Sequence, residues 1–362
     1  MKPKYNVIDL FCGCGGLSKG FDNTNRVKLV GAIDFDKAAC ETYQLNFPEA
    51  RVICGDISTI SVKESGFKDI DIIIGGPPCQ GFSRLNYWDK DRDNDPRNQL
   101  FLQYLRFVEE LQPKALLIEN VKNILMAKDG LVPSTITHFL EERGYSVTYS
   151  IVCASDYGVP QSRYRAIFVA IKKDFGSFDF ASLERYKKPL VTVNDALSDI
   201  SAIEDKAKEE KQGTVFKLGT PKSEYQKRMQ AKDCSLPNHM IYYPADNVQH
   251  MMTYVPEGGN WRCVPKNLFK SDRSNRYTNY LRRLKSDAPS ITIDTGHNVY
   301  FHPLFNRVPT IRESARLQSF PDDFVFIGKK GQQFRQVGNA VPPLMAEALA
   351  NAIIDTLENA NK

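Results

Sequence analysis

The stretch YNVIDLFCGCGG, residues 5–16, decides the fold, because an apolar run passes through Asp9 and Phe11 directly into a glycine-rich turn. Glycine has no Cβ, so a ligand can approach such a turn closely at the carboxyl end of the first strand of a doubly wound sheet. A stretch with helical character follows the turn. The segment therefore predicts the first strand–turn–helix unit of a nucleotide-binding α/β domain.

The residues that follow repeat this alternation of strands and helices. Six further strands are predicted at 28–34, 51–56, 69–76, 114–120, 145–152 and 163–171, with helices near 98–111 and 133–143. Continuous apolar strands separated by helices indicate a sheet that is covered on both faces. The predicted fold class is α/β, with a Rossmann-like, doubly wound, mixed but mostly parallel sheet. Beyond about residue 172 the pattern becomes irregular, apart from short strands at 290–294 and 298–303 and a helix at 310–320, which indicates a second, smaller domain.

The composition is that of a globular protein without signals for export or membrane insertion. The 362 residues are 42% hydrophobic and 25% charged, and no run reaches the roughly 18 apolar residues of a membrane span. The N-terminus lacks a signal-peptide pattern, so a cytoplasmic protein is expected. The eight cysteines form no CxxC pair. Neither disulfides nor a bound metal are expected, because no second Cys/His cluster completes a metal site.

Residues at the strand ends suit a nucleoside ligand. Asp34 closes the second strand, where an acid can accept hydrogen bonds from ribose hydroxyls. Asp56 closes the third, where a carboxylate can meet an adenine amino group. Phe11 and Phe35 are placed to sandwich the adenine. These features suit S-adenosylmethionine and a plain dinucleotide equally well, so both remain candidate ligands at this point.

A cysteine lies in turn chemistry directly after the fourth strand, in GGPPCQGFS (75–83). Cys79 falls at the carboxyl edge of the sheet, where such sheets bind ligands. Glu119, in ENV (119–121), closes the fifth strand at the same edge. QSRYRAIFVA (161–170) brings Arg163 and Arg165, which strand alternation places on one face. Taken singly, these residues also fit a buried structural cysteine, a solvated cap, and arginines in salt bridges.

Together the thiol, carboxyl and guanidinium match the chemistry of cytosine C5 alkylation. A thiolate that adds at C6 turns the ring into an enamine, which makes C5 nucleophilic. A carboxyl such as Glu119 can supply a proton or hydrogen bond at N3. A guanidinium such as Arg165 can hold O2 and favour the thiolate of Cys79. A base inside a duplex must first be flipped out.

A basic segment that also carries aromatic residues lies at 261–285. It holds eight Lys and Arg residues, four interleaved aromatic residues and one acid, Asp272. Such a segment is typical of a surface for nucleic-acid phosphates with stacking side chains, and a solvated basic face is the alternative. The candidate DNA contacts here are Arg262, Arg273, Arg276, Arg282 and Arg283.

The ordered motifs DLFCGCGGLSKGF, AIDFD, GDI, GGPPCQGFS, ENV, QSRYRAIFVA, RESARLQSFPDDF and QVGNAVPP closely resemble those of the cytosine-C5 DNA methyltransferase family. The resemblance runs from Asp9 to the final helix. It implies a class I methyltransferase domain that binds S-adenosylmethionine, formed by 1–185 and 336–362, and a target-recognition domain at 186–335. It also implies a double-stranded DNA substrate, a stand-alone bacterial monomer, and a cognate restriction endonuclease as functional partner.

The resemblance further implies roles for matching positions. Cys79 would be the nucleophile, Glu119 and Arg165 its partners, and Arg163 a supporting residue. The cofactor pocket would include Phe11, Gly13, Gly15, Gly16, Asp34, Phe35, Asp56, Ile57, Pro78, Leu100, Asn339 and Ala340. Contacts to DNA would come from Gln80, Ser83 and Arg97 in the catalytic loop, and from Thr292 near the flipped base.

Three other interpretations make different demands on the sequence. A tRNA cytosine-C5 methyltransferase of the same fold typically carries a Cys-Phe-Thr signature, whereas the recognition region here has cysteines only in DCSL (233–236) and RCVP (262–265). Intact Cys79, Glu119 and Arg165 argue against a catalytically silent DNA-binding protein. A nicotinamide dehydrogenase would carry G-x-G-x-x-G in its first loop, and this chain does not.

Overall fold

The computed structural model describes residues 5–78, 96–204, 215–269, 281–295 and 300–360, without the side chains of 96–99, 128 and 129. The chain divides into two compact units. Unit 1 comprises Met1–Tyr157, Tyr164–Lys188 and Val341–Lys362, and unit 2 comprises Gly158–Arg163 and Pro189–Ala340. The assignment of cofactor binding to one domain and target recognition to the other stays a prediction.

Unit 1 is built on a seven-stranded sheet of order β3-β2-β1-β4-β5-β7-β6. The strands are β1 Tyr5–Leu10, β2 Val27–Asp34, β3 Arg51–Cys54, β4 Ile72–Gly75, β5 Ala115–Val121, β6 Tyr145–Cys153 and β7 Tyr164–Lys172. Adjacent strands are parallel except where β7 pairs antiparallel with β5 and β6. The predicted mixed, mostly parallel sheet is therefore confirmed. In β4 the side chains of Ile72, Ile73 and Ile74 are all 0% exposed, because a sheet covered on both faces buries every position of a central strand.

The helices in the described part of the chain vary from one turn to almost five. They are α1 Gly16–Asn23, α2 Lys37–Asn46, α3 Val62–Ser65, α4 Pro96–Leu111, α5 Leu131–Glu141, α6 Val193–Ser201, α7 Glu224–Met229, α8 Asp246–Thr253, α9 Ile311–Leu317, α10 Lys330–Asn339 and α11 Pro343–Asn359. The last helix packs against α1 in unit 1, where a Cβ on Gly20 would lie 2.3 Å from the Cβ of Ala346. The stretch Lys330–Asn359 has the length and apolarity of a membrane span, but 78% of its apolar window is buried inside the protein, as in a core helix.

Unit 2 has little regular strand structure in its described part. Its short pairs are β8 Phe216–Lys217 with β9 Ser235–Leu236, and β10 Arg282–Arg283 with β11 Tyr300–Phe301. The strand predicted at 290–294 is wrong, because within it only Ser290 pairs, in an isolated bridge with Gln161. The side-chain Oε1 of Gln161 accepts the N–H of Ile293 at 2.9 Å and takes the place of a ladder partner. The segment 201–235, predicted to be irregular, also contains α7, whose first turn is capped by Ser223.

Buried ion pairs stabilise the interior of unit 2. The Arg307 side chain is 0% exposed and lies 2.6 Å from Glu204 Oε2 and 2.8 Å from Glu313 Oε2. A buried guanidinium without carboxylate partners would cost several kcal/mol, so these two acids compensate its charge. Glu313 also forms a capping box with Thr310, which confirms the predicted start of the helix at 310–320.

Candidate active site

Glycine shapes the turn that follows β1. Gly13 and Gly15 have positive φ angles of 53° and 93°. A Cβ on Gly15 would lie 2.9 Å from the ring of Tyr43, so a larger residue there would force the packing apart. Gly16 begins α1, and the N–H of Gly13 donates to Oδ2 of Asp34 at 2.8 Å. The turn thereby joins the carboxyl ends of β1 and β2.

The Asp34 carboxylate holds two loops of unit 1 and lies next to an exposed aromatic ring. Its Oδ1 accepts the N–H of Asp36 at 2.9 Å. Burial raises the pKa of Asp34, and the hydrogen bonds from Asp36 and Gly13 act against that increase. Each carboxylate oxygen retains lone-pair capacity for a further donor. Phe35 is 79% exposed, which suits stacking on a base. Both predicted cofactor contacts are therefore physically available and stay predictions.

The other predicted cofactor residues of unit 1 are Phe11, Asp56, Ile57, Pro78 and Leu100. Phe11, Asp56 and Pro78 follow the parallel strands β1, β3 and β4, so they fall at the same edge of the sheet. Asp56 caps the short 3₁₀ turn Ile57–Thr59 by accepting the N–H of Ser58 at 2.9 Å. That bond lowers the pKa of Asp56. Ile57 is buried, and Leu100 on α4 is half-buried.

A buried carboxyl group precedes the glycine turn. Asp9 is 1% exposed, and Ser18 Oγ donates to its Oδ2 at 2.6 Å. The Ser18 hydroxyl also lies 2.7 Å from the hydroxyl of Tyr43. Burial raises the pKa of Asp9 to about 8, against the effect of the Ser18 hydrogen bond. At neutral pH the carboxyl group beside the turn is therefore largely protonated.

Asp9→Asn is expected to make the free energy of unfolding less dependent on pH. Between the unfolded pKa of about 4 and the folded pKa of about 8, the folded state binds a proton that the unfolded state has released. Stability therefore falls as the pH rises through this window, by up to about 1.4 kcal/mol per pH unit. Asparagine cannot ionise, so the stability of the variant relative to that of the wild type should increase as the pH rises. Urea unfolding at several pH values within the window measures both slopes, and equal slopes would contradict the assignment.

Glu119 and Arg165 form an ion pair across two strands of unit 1. Arg165 Nε lies 2.7 Å from Glu119 Oε1, and the two side chains are 15% and 12% exposed respectively. The antiparallel register pairs Glu119 with Ile167 and Val121 with Arg165, so the two charged residues are diagonal neighbours on one face. Arg165 Nη1 also donates to the carbonyl oxygen of Tyr164 at 2.8 Å. The structure thus brings together two of the predicted catalytic side chains and fixes their orientation.

The loop that leads toward Cys79 runs beside Glu119. Asn120 Nδ2 donates to the carbonyl oxygen of Pro77 at 2.9 Å, and a Cβ on Gly76 would lie 3.2 Å from Glu119 Oε2. The backbone therefore passes close to the carboxylate three residues before Cys79. Outside the described residues lie Cys79, Gln80 and Ser83, together with the side chain of Arg97, and their roles stay predictions.

Arg163 requires a correction, because it does not belong to the strand that carries Arg165. β7 begins at Tyr164 and Arg163 lies in unit 2, so strand alternation does not place these two guanidinium groups. Arg163 is 1% exposed. It donates to the carbonyl oxygens of Ile293 at 3.2 Å and Gly338 at 3.0 Å. These contacts suit the supporting role that the resemblance implies for Arg163, and that role stays a prediction.

The remaining predicted site residues of unit 2 lie on segments that Arg163 contacts or adjoins. Thr292 is exposed, and its Oγ1 donates to the carbonyl oxygen of Ser162 at 3.2 Å. Asn339 is the last residue of α10 and Ala340 is its C-cap. The contacts predicted for Thr292 with DNA, and for Asn339 and Ala340 with the cofactor, stay predictions.

The predicted DNA-contacting arginines of 261–285 divide into different classes. Arg283 is 6% exposed, and its guanidinium donates to the carbonyl oxygens of Val255 at 2.6 Å and Met252 at 2.7 Å, among other partners within unit 2. The prediction that Arg283 contacts DNA is wrong, because hydrogen bonds in the interior of unit 2 occupy its donors. Arg262 is exposed and lies 5.5 Å from the ring of Trp261. Arg282 is half-buried, and Arg273 and Arg276 lie outside the described residues.

Two polar contacts beside the site were not anticipated from the sequence. Asn120 stands next to Glu119 in the motif ENV, so its position was a usable signal for the contact with Pro77. Ser18 is nine residues from Asp9, and only the packing of α1 on the sheet brings the two side chains together.

Known proteins similar to this chain are methyltransferases. The model of the C-5 cytosine-specific DNA methylase family matches residues 5–355. The chain is 36% identical to the Type II methyltransferase M1.HphI of Haemophilus parahaemolyticus, over 96% of this chain and 86% of that protein. It is 34% identical to the Type II methyltransferase M.DdeI of Desulfomicrobium norvegicum, over 98% and 90%.

Solved structures that are similar to this chain share its fold. A prophage-encoded protein of E. coli, described as a DNA modification methyltransferase, matches with a TM-score of 0.76 at 28% identity, over 98% of this chain and 100% of that one. The Dnmt2 methyltransferase of S. pombe matches with a TM-score of 0.63 at 20% identity, over 99% and 100%, and this likeness is one of fold alone.

Proposed function

The chain belongs to the C-5 cytosine-specific DNA methylase family, and on that premise we propose which cofactor it uses and which residues carry the reaction. It is a DNA cytosine-C5 methyltransferase of the Type II restriction–modification kind. The single observation that best supports the proposed chemistry is the oriented Glu119–Arg165 pair, with its 2.7 Å contact beside the loop that leads to Cys79. A fixed carboxyl and guanidinium at one edge of the sheet suit recognition of one pyrimidine ring.

The cofactor is S-adenosylmethionine, which supplies an electrophilic methyl group when it is bound. The turn leaves room for a close ligand at Gly13, where a Cβ would have no neighbour within 4 Å, as a nucleoside with a short charged tail requires. Asp34 would accept hydrogen bonds from the ribose, and the ring of Phe35, 79% exposed, would stack on the adenine. Asp56, at the same sheet edge, would accept a hydrogen bond from the adenine amino group. The carboxylates that accept hydrogen bonds within the loops can therefore also accept hydrogen bonds from this cofactor.

The target cytosine reacts through a covalent intermediate. The Cys79 thiolate adds to C6 of the flipped base and forms a carbon–sulfur bond, while Glu119 donates a proton or hydrogen bond at N3. Arg165 binds O2 and stabilises the charge that develops on the ring. C5, now nucleophilic, acquires the methyl group. Water then takes the C5 proton, the Cys79 thiolate leaves, and the N3 proton returns to Glu119, which restores the aromatic ring.

The substrate is double-stranded DNA with a specific recognition sequence, bound in part by the basic segment 261–285. Lys and Arg contacts to phosphates release condensed counterions, so affinity falls as the salt concentration rises. The protein would act as a monomer in the cytoplasm, with a cognate restriction endonuclease as its functional partner, as in Type II systems. The endonuclease would cleave the same sequence when it is unmethylated.

Arg262→Ala is expected to weaken duplex binding and to reduce the slope of log affinity against log salt by about 1, because one phosphate contact is lost. The loss should be similar for cognate and unrelated duplexes, since a phosphate contact carries no sequence information. Lys37→Ala is the control, because Lys37 lies on α2 of unit 1 with its side chain 85% exposed. Fluorescence anisotropy over a range of salt concentrations measures the slopes. An unchanged slope for Arg262→Ala would remove Arg262 from the interface.

Bisulfite sequencing of a host genome that expresses the protein tests the proposed function directly. Protected cytosines within one recurring motif are expected, and they would define the recognised sequence. A host that expresses the Cys79→Ala variant supplies the background. Transfer of label from S-adenosylmethionine to tRNA, with none to duplex DNA, would contradict the proposal.

A further inference from the structure

Two buried glutamine side chains link four separate segments of unit 2, at 161, 293, 318 and 337. Gln161 and Gln318 are both 0% exposed. Gln161 Nε2 donates to Gln318 Oε1 at 2.8 Å, and Gln318 Nε2 donates to the carbonyl oxygen of Val337 at 2.8 Å. At the other end, Gln161 Oε1 accepts the N–H of Ile293 at 2.9 Å. One relay of amides therefore runs from the segment at 293 through 161 and 318 to the segment at 337.

A second set of contacts joins three of these segments, those near 161, 293 and 337. Arg163 donates to the carbonyl oxygens of Ile293 and Gly338 at 3.2 and 3.0 Å. The segments also meet directly, because a Cβ on Gly338 would lie 2.4 Å from the carbonyl oxygen of Asp294. This close contact leaves little room for the segments to shift unless the hydrogen bonds between them break.

Three of the four linked segments carry or adjoin a residue with a proposed part in the reaction. Arg165 follows Arg163 by two positions, Thr292 directly precedes Ile293, and Asn339 directly follows Gly338. An amide presents an acceptor at one end and donors at the other, so this relay is satisfied in one arrangement only. An alternative arrangement would leave a buried backbone group without its partner, which is costly.

We propose that Gln161 and Gln318 are positioning residues for methyl transfer, whose hydrogen-bonded amides hold the backbone at 161–163, 292–293 and 337–339 in the placement that turnover requires. This inference rests on the proposed function. Neither glutamine needs to touch the substrate. Their effect is exerted through the backbone next to residues that do, and displacements of about 1 Å in such residues can cost about 100-fold in rate.

The test uses methionine, which keeps the length of the side chain and removes both hydrogen-bonding groups. Gln161→Met and Gln318→Met are each expected to lower the rate constant of methyl transfer about 10-fold or more in single turnover. Gln226→Met is the matched control, since Gln226 is also 0% exposed in unit 2 and donates instead to Ser198 Oγ at 2.8 Å. It should leave the rate constant close to that of the wild type.

The double variant separates positioning from general loss of stability. Because both residues act through one relay, Gln161→Met/Gln318→Met should be no slower than the slower single variant. Labelled duplex saturated with enzyme is used, so the rate constant reports the bound complex and does not depend on how much protein is folded. Rate constants that match Gln226→Met, or effects that multiply in the double variant, would overturn the proposal. A wild type that does not methylate cytosine would instead overturn the proposed function.

Discussion

Cys79→Ala is expected to abolish methyl transfer, with a loss of about 10⁴-fold or more, while leaving binding of S-adenosylmethionine and duplex DNA largely intact. Without the thiolate no bond forms at C6, so C5 of the target base stays a poor nucleophile. The cofactor and most DNA contacts are assigned to other residues, so the two binding steps should persist. Incorporation of a labelled methyl group into duplex DNA measures turnover, and calorimetry measures cofactor binding.

Cys54→Ala is the control for this substitution, because Cys54 is an exposed free cysteine of unit 1. It should retain wild-type turnover. A covalent protein–DNA adduct that resists denaturation should be trapped with the wild type on DNA whose target cytosine carries fluorine at C5, since no proton can then leave. Turnover of Cys79→Ala near that of the wild type would show that another group is the nucleophile.

Glu119→Gln is expected to lower the rate constant of methyl transfer by about 10²- to 10⁴-fold. Glutamine has the same shape, and its Oε1 can still accept from Arg165 Nε, which lies 2.7 Å from Glu119 Oε1 in the wild type. It cannot release a proton to N3 of the base, so the enamine forms without acid assistance. The thermal midpoint and the affinity for S-adenosylmethionine should change little, because packing and the cofactor loops are preserved.

Glu109→Gln is the matched control, since Glu109 belongs to another Glu–Arg pair of unit 1. Its Oε1 accepts from Arg143 Nε at 2.6 Å, away from the strand end that carries Glu119. This variant should turn over like the wild type. Comparable losses in the two variants would mean that the Glu119–Arg165 pair serves stability alone, and Glu119 would lose its proposed role as the acid.

The sequence predicted the sheet of unit 1 well, because the information that specifies it is local. Central strands such as β4 are apolar at every position, glycine stands where the backbone takes a positive φ at Gly13 and Gly15, and α9 begins at a Thr310–Glu313 capping box. Each of these signals acts over a few residues. The sequence also placed Glu119 and Arg165 at strand ends, but their meeting depends on the antiparallel pairing of β5 with β7, which only the tertiary structure decided.

The predictions from sequence are wrong where a residue's hydrogen-bonding partners are distant in the chain. The apolar alternation at 290–294 indicated a strand, but the side chain of Gln161, more than a hundred residues earlier, takes the hydrogen bond of Ile293. Arg283 looked like one of a cluster of surface cations, but six separate carbonyl and amide oxygens surround its guanidinium in the interior. Charge and spacing in a sequence do not reveal whether a long side chain lies at the surface or in the interior.

By itself, then, the sequence determined the fold class and the family, and it predicted the chemistry of the thiol, carboxyl and guanidinium, because each depends on short motifs in a fixed order. The tertiary structure alone decided which arginines are interior supports, why the backbone near 293 is not a strand, and that a relay of two amides joins four distant segments. The physical reason is that burial and hydrogen-bond pairing depend on residues brought together only by folding. A local pattern of charge or hydrophobicity does not indicate which distant residues will become hydrogen-bonding partners.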